Sequence, residues 1–242
     1  MGFNKGQLYE QSLFKLLKQN GKVPSDIVKV EQILGQDVTV ENQFGRSGIE
    51  IKLNGNAAFG SGTLKFDNSK KDFPWKLTES NQLDDDNTSK EIMRSIARKY
   101  RLDEVVNKKW YKDNQNYYPL YLEEEKYNPL PNILKIPKSK RGKRDAEALS
   151  DIRIKCKSSD IIDYYTSKGS HYIQVGDKGL YWFGKEDPLN IASNLDTFAP
   201  TETYLRVRVQ PKGGEKYNFS YGLYIKGLSS TSQDLMRNPN II

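Results

Sequence analysis

The chain has 242 residues, 36% hydrophobic and 29% charged, with one Cys (Cys156), one His (His171) and a net charge of +7. That is enough apolar material for a sizeable core, but too little Cys and His for a disulfide scaffold, a zinc finger or a nuclease built on His and metal. No nucleophile elbow surrounds His171, and it is assigned no role. The basic excess points to a polyanionic partner without identifying one.

No apolar run reaches the length of a membrane span and no charged-then-apolar segment opens the chain, so no membrane partner is expected. A single Cys fits the reducing cytoplasm, and Cys156 is read as a structural thiol.

The spacing of Tyr9, Leu13, Leu16 and Leu17 predicts a helix over 5–20, stopped by Gly21. Ile27, Val30 and Leu34 predict a second over 24–34. The period then changes to two. Residues 37–41 and 49–53 alternate, with Gly45 and Gly48 between them, which predicts a hairpin. Residues 63–66 form a plausible third strand. Thr88 and Glu91 have capping-box spacing ahead of Ile92, Ile96 and Ala97, so a helix is expected to about Tyr100.

Residues 111–135 are rich in Tyr, Asn and Pro and read as irregular. A short helix near 160–167 and a hairpin of 171–175 with 179–183 follow. Two long strands close the chain. In 203–210, Leu205, Val207 and Val209 alternate with Arg206, Arg208 and Gln210. In 217–226, Tyr217, Phe219, Tyr221, Leu223 and Ile225 share one face. The pairs Tyr117-Tyr118 and Tyr164-Tyr165 could stack on bases but read more readily as packing aromatics. The expected architecture is one α/β domain over 1–242 with a strand-rich C-terminal half, a core near 5–100 and nucleic-acid contacts near 130–228.

The charge is concentrated. Residues 130–157 hold nine Lys and Arg against Asp145, Glu147 and Asp151. The centre of this window is Lys138, Lys140, Arg141, Lys143 and Arg144, between Pro137 and Asp145. Pro137 and Gly142 oppose a helix there, which leaves a loop suited to gripping phosphates.

The chemistry is expected in residues 35–53. Glu50 and Lys52 share one strand face, roughly 6–7 Å apart along the strand. A hairpin turning at 43–44 places Asp37 across from Glu50, because a one-residue slip would turn the apolar face outward. Two carboxylates and an ammonium would then converge. Carboxylates hold Mg²⁺, which prefers oxygen ligands. The ion polarises a phosphoryl oxygen and acidifies a water. The ammonium orients that water or offsets developing charge. Glu41 is the reserve first acid. Glu-x-Lys alone carries little: Glu124 and Lys126 have the same spacing inside an acidic run with no strand pattern.

This pattern resembles the PD-(D/E)xK nuclease superfamily, with Asp37 as first acid and Glu50-Ile-Lys52 as second acid and lysine; Gln36 stands where the motif has Pro. Residues 48–64 resemble the active-site strand of small type II restriction endonucleases. The opening helix around Gly6–Glu10 is similar to theirs and to that of a mismatch-repair nicking endonuclease. The resemblance implies a restriction-endonuclease-like core, a central mixed sheet flanked by helices, with Asp37, Glu50 and a helix glutamate, Glu10, at a Mg²⁺ site. It also implies double-stranded DNA as substrate, a homodimer or successive cuts to sever both strands, and a cognate DNA methyltransferase. Arg206 and Arg208 on their strand, followed by Lys212 and Lys216, are candidate DNA readers. A nicking or structure-specific repair or phage nuclease, and a non-enzymatic DNA-binding protein, are the alternatives.

Overall fold

The computed structural model describes residues 5–19, 37–66, 75–77, 87–114, 149, 152–211 and 217–239. The elements run α1 (Lys5–Gln19), β1 (Val38–Asn42), β2 (Gly45–Lys52), β3 (Ser61–Phe66), β4 (Trp75–Leu77), α2 (Asn87–Lys99), α3 (Leu102–Asn114) and β5 (Arg153–Cys156). They continue with α4 (Ser158–Thr166), β6 (Ser170–Val175), β7 (Gly179–Trp182), β8 (Asp196–Thr197), β9 (Glu202–Pro211) and β10 (Tyr217–Lys226). The result is an α/β protein with two five-stranded sheets, ordered β1-β2-β6-β7-β8 and β4-β3-β10-β9-β5.

The chain divides into two compact units. The first comprises 1–59, 157–203 and 224–242; the second comprises 60–156 and 204–223.

The first unit is built on a mixed sheet. β2 pairs antiparallel with β1 and parallel with β6, while β6 pairs antiparallel with β7 and β7 parallel with β8. β2 is therefore a central strand. On one face Ile49 and Ile51 pack with Val38, Val40, Tyr172 and Leu180 against Leu13 and Leu17 of α1, the residues whose helical spacing predicted that helix. On the other face stands α4, which buries Ile161, Tyr164 and Tyr165. Asp160 accepts the backbone N–H of Lys157 at 3.1 Å and so holds the start of α4.

The β1–β2 hairpin turns at residues 43–44, as expected. Asn42 shapes the turn by accepting the N–H groups of Phe44 at 2.9 Å and Gly45 at 3.3 Å. Gly45 lies so close to the chain at Pro188 that a Cβ there would stand 2.7 Å from its carbonyl oxygen. His171, at the start of β6, is 3.0 Å from Ser47 Oγ through Nδ1 and 3.3 Å from Glu186 through Nε2.

The second unit contains α2 and α3. Trp75 packs on Phe219 with ring centroids 4.8 Å apart. Asn107 of α3 clasps β4, accepting the Trp75 N–H and donating to its carbonyl, both at 2.8 Å. β9 shows the expected alternation: Leu205 and Val207 are buried, while Arg206 and Arg208 are half-buried.

One expectation changes. α3 runs to Asn114, so 111–114 are helical, not irregular; an amphipathic pattern starting at Leu102 carries the backbone past the Tyr-rich composition. β3 forms as expected and pairs with β4 and β10 in the second sheet. The expected helix at 24–34, the Tyr117-Tyr118 pair and the loop of Lys138, Lys140, Arg141, Lys143 and Arg144 lie outside the described residues, as do Lys212 and Lys216. Cys156 is a buried free thiol. Among the described residues no helix is long and apolar enough to cross a membrane.

Candidate active site

The hairpin register places the two acids. Val38 pairs with Ile49 and Asn42 with Gly45, so the ladder continued by one residue sets Asp37 opposite Glu50. The Asp37 carboxylate is fixed in that place by accepting the backbone N–H of Ile51 at 2.8 Å. Glu41, the reserve acid, lies opposite Arg46 near the turn and is exposed. It shares a face with Asp37 but lies four residues, roughly 13 Å, further along the strand, so Asp37 is the acid that the fold brings opposite Glu50.

Glu50 is only 3% exposed. Its Oε1 accepts a hydrogen bond from Lys52 Nζ. Its Oε2 is buried and has no hydrogen-bond partner among the described residues. Burial, above all, pushes the Glu50 carboxyl up to about 7; Lys52 pulls it down and Asp37 adds to the rise. Burial by itself would lower the Lys52 ammonium, but Glu50 beside it outweighs that and holds it well above its ordinary value. The pair titrates as a unit in which lysine keeps its proton.

Around this pair the α4 face supplies aromatic and cationic groups. Lys52 Nζ stands 5.6 Å from the Tyr165 ring centroid. Lys168 Nζ stands 5.3 Å from the same ring and 4.9 Å from that of Tyr164. Phe183 stacks on Tyr165 at 5.7 Å with an interplanar angle of 9°. Lys168 also acts on the Glu50 carboxyl, lowering it.

Glu10 of α1 is half-buried. Burial first, then Asp37, raises its carboxyl, while Lys52 opposes the shift. It shares the electrostatic field of the site. Among the described residues no three His, Cys, Asp or Glu side chains stand together as a group that could hold a metal ion, so the close constellation is the Asp37–Glu50 pair with Lys52. Arg206 and Arg208 both take part in interactions within the chain.

The donor chemistry of the site fits a hard divalent cation. Glu50 Oε2 is an acceptor stripped of water and left without a partner, which costs about 1–3 kcal/mol or more for a charged group. Asp37 adds a second carboxylate, every donor is oxygen, and Mg²⁺ takes one or two carboxylates and keeps several waters. Tyr165 and Lys168 were not singled out for this site from sequence, because neighbouring tyrosines on a short amphipathic helix look like packing groups.

No protein-family model, curated protein or solved structure matches the chain.

Proposed function

We propose that this protein is a Mg²⁺-dependent endonuclease that hydrolyses phosphodiester bonds in double-stranded DNA, with a restriction-endonuclease-like core in its first unit. The observation that carries the reading is the buried Glu50, with one oxygen on Lys52, the other without a partner, and Asp37 across the ladder. A merely solvated strand face would leave Glu50 in water. Removing a carboxylate from water and leaving half of it unpaired is unfavourable, so the arrangement calls for a ligand.

Asp37 and Glu50 would hold the ion, and Glu10 would add negative charge beside them. The ion, when bound, supplies Lewis acidity and a more acidic water. Lys52, kept protonated by Glu50, aims an ammonium at the place where a phosphoryl oxygen gains charge. The water oxygen bonds to phosphorus and gives up a proton to solvent, the ester P–O bond breaks, and the departing oxygen takes up a proton from solvent. The basic residues Lys138, Lys140, Arg141, Lys143 and Arg144, with Arg206, Arg208 and Lys212, are assigned to the DNA, since carboxylates cannot themselves grip a polyanion. A site-specific enzyme of this kind works in the cytoplasm beside a cognate methyltransferase, and a homodimer would place a centre on each strand.

The test is incubation of supercoiled plasmid with Mg²⁺, with EDTA, and with the Glu50→Ala variant. Discrete fragments that require both Mg²⁺ and Glu50 support the reading. Nicked circles alone would move it to a nicking enzyme. Salt-sensitive binding without cleavage, indifferent to Mg²⁺ and to Glu50, would make the chain a DNA-binding protein.

A further inference from the structure

Two buried oxygens near the same ammonium lack partners among the described residues. Glu50 Oε2 is one; the Tyr165 hydroxyl is the other. Tyr165 is 1% exposed and its ring is clamped, with Phe183 stacked on it and Tyr164 against it at 4.9 Å. Lys52 Nζ links the two groups, hydrogen-bonded to Glu50 Oε1 and 5.6 Å from the Tyr165 ring centroid. The phenol O–H is a donor and Glu50 Oε2 an acceptor, and solvent barely reaches either residue. Buried polar groups are almost always satisfied, by protein or by ordered water. A duplex phosphate is too bulky to reach a hydroxyl so deeply covered, whereas a water molecule is not.

We propose that Tyr165 is a positioning residue of this site: its hydroxyl donates to a water held beside Glu50 Oε2, and its ring supports the ammoniums of Lys52 and Lys168. The inference rests on the phosphodiesterase reading and names the group that orients the water. A water with one lone pair engaged by a rigid phenol has fewer orientations, so the other lone pair is aimed when phosphorus arrives. Rigid packing of the ring is what gives that direction its precision, and the two ammoniums over the aromatic groups add a favourable cation–π contribution.

Tyr165→Phe isolates the hydroxyl, because the ring, its stacking and its cation contacts remain. The expected result is a kcat lower by about tenfold to a hundredfold, the range seen when outer-shell partners of a metal site are removed. KM for DNA should stay unchanged and Tm should move little, since the ring, its stacking on Phe183 and its cation contacts remain. A crystal structure of the wild-type protein should show an ordered water within hydrogen-bond reach of both Glu50 Oε2 and Tyr165 Oη, lost in the variant. Wild-type cleavage that depends on Glu50, with Tyr165→Phe at full rate, overturns the role of Tyr165 and leaves the nuclease reading standing. So does a direct Tyr165–Glu50 hydrogen bond with no water between them. A wild-type protein that cleaves no duplex sinks the nuclease reading, and the positioning role with it.

Discussion

The Asp37 carboxylate accepts the backbone N–H of Ile51 at 2.8 Å, so the first acid is fastened to the strand that bears the second. Asp37 thus has a structural bond as well as a proposed chemical duty, and two substitutions separate them. Asp37→Asn keeps an acceptor for Ile51 and removes the charge. It should leave Tm within a degree or two and reduce cleavage by more than the about 10–100-fold typical of outer-shell changes. Asp37→Ala also strands the Ile51 N–H, at about 1–3 kcal/mol, and should lower Tm as well. Thermal melts beside plasmid assays read both. Equal activity in Asp37→Asn and wild type would remove Asp37 from the site.

The raised Glu50 carboxyl gives a pH dependence with a definite sign. In the folded protein it titrates near 7, against 4.5 ordinarily. Between those values the folded state binds more protons than the unfolded state, so the Glu50 contribution to stability is present at low pH and lost as pH rises through the folded value. A cation needs the carboxylate, so its binding follows the opposite trend. Saturating Mg²⁺, at a hundredfold excess over Kd, should stabilise the protein by about 2.7 kcal/mol at pH 8, or about 5–10 °C in Tm. Near pH 5 the same addition should do little. A Mg²⁺ shift of equal size at both pH values would place the ion elsewhere.

Gly176 tests whether the β2–β6 pairing sets the position of Lys52. Its N–H donates to the Lys52 carbonyl at 2.8 Å. A Cβ there would stand 2.5 Å from the Leu53 carbonyl oxygen and 2.9 Å from the Tyr9 ring. Gly176→Ala should cost about 1–3 kcal/mol through overpacking. Because the backbone at 52–53 must yield, activity should fall more than any change in DNA affinity. Separate measurement of kcat, KM and the melting curve distinguishes displacement of the site from simple unfolding.

The Asp37–Glu50 register was legible because strict alternation on both strands and a glycine at the turn leave one pairing that buries Val38, Val40, Ile49 and Ile51. The alternation in 203–210 was legible for the same reason. The burial of Glu50 was not, because it depends on β6 and α4, which lie more than a hundred residues further along the chain. Local alternation says that Glu50 faces away from Ile49, not that a helix covers it there. Nor could period two tell which sheet β3 would join, since pairing partners are chosen by the whole core. Tyr165 stayed hidden because an aromatic pair on a short helix has the same pattern whether its hydroxyl is idle or engaged.

The basic segment supplies the last prediction. Five of its residues, Lys138, Lys140, Arg141, Lys143 and Arg144, sit within seven positions of sequence, and they lie outside the described residues. If they hold phosphates, each contact releases counterions, and the slope of log affinity against log salt is about 0.9 per phosphate met. Changing all five to Ala should therefore flatten that slope by up to about 4.5, while the melting curve and the Mg²⁺ response of the folded protein stay as they are. The Glu50→Ala variant should behave in the opposite way, silent in cleavage and undiminished in its salt slope. If the five-fold variant binds duplex DNA with the wild-type slope, the grip lies elsewhere, and the partly buried Arg206 and Arg208 of β9 become the next residues to change.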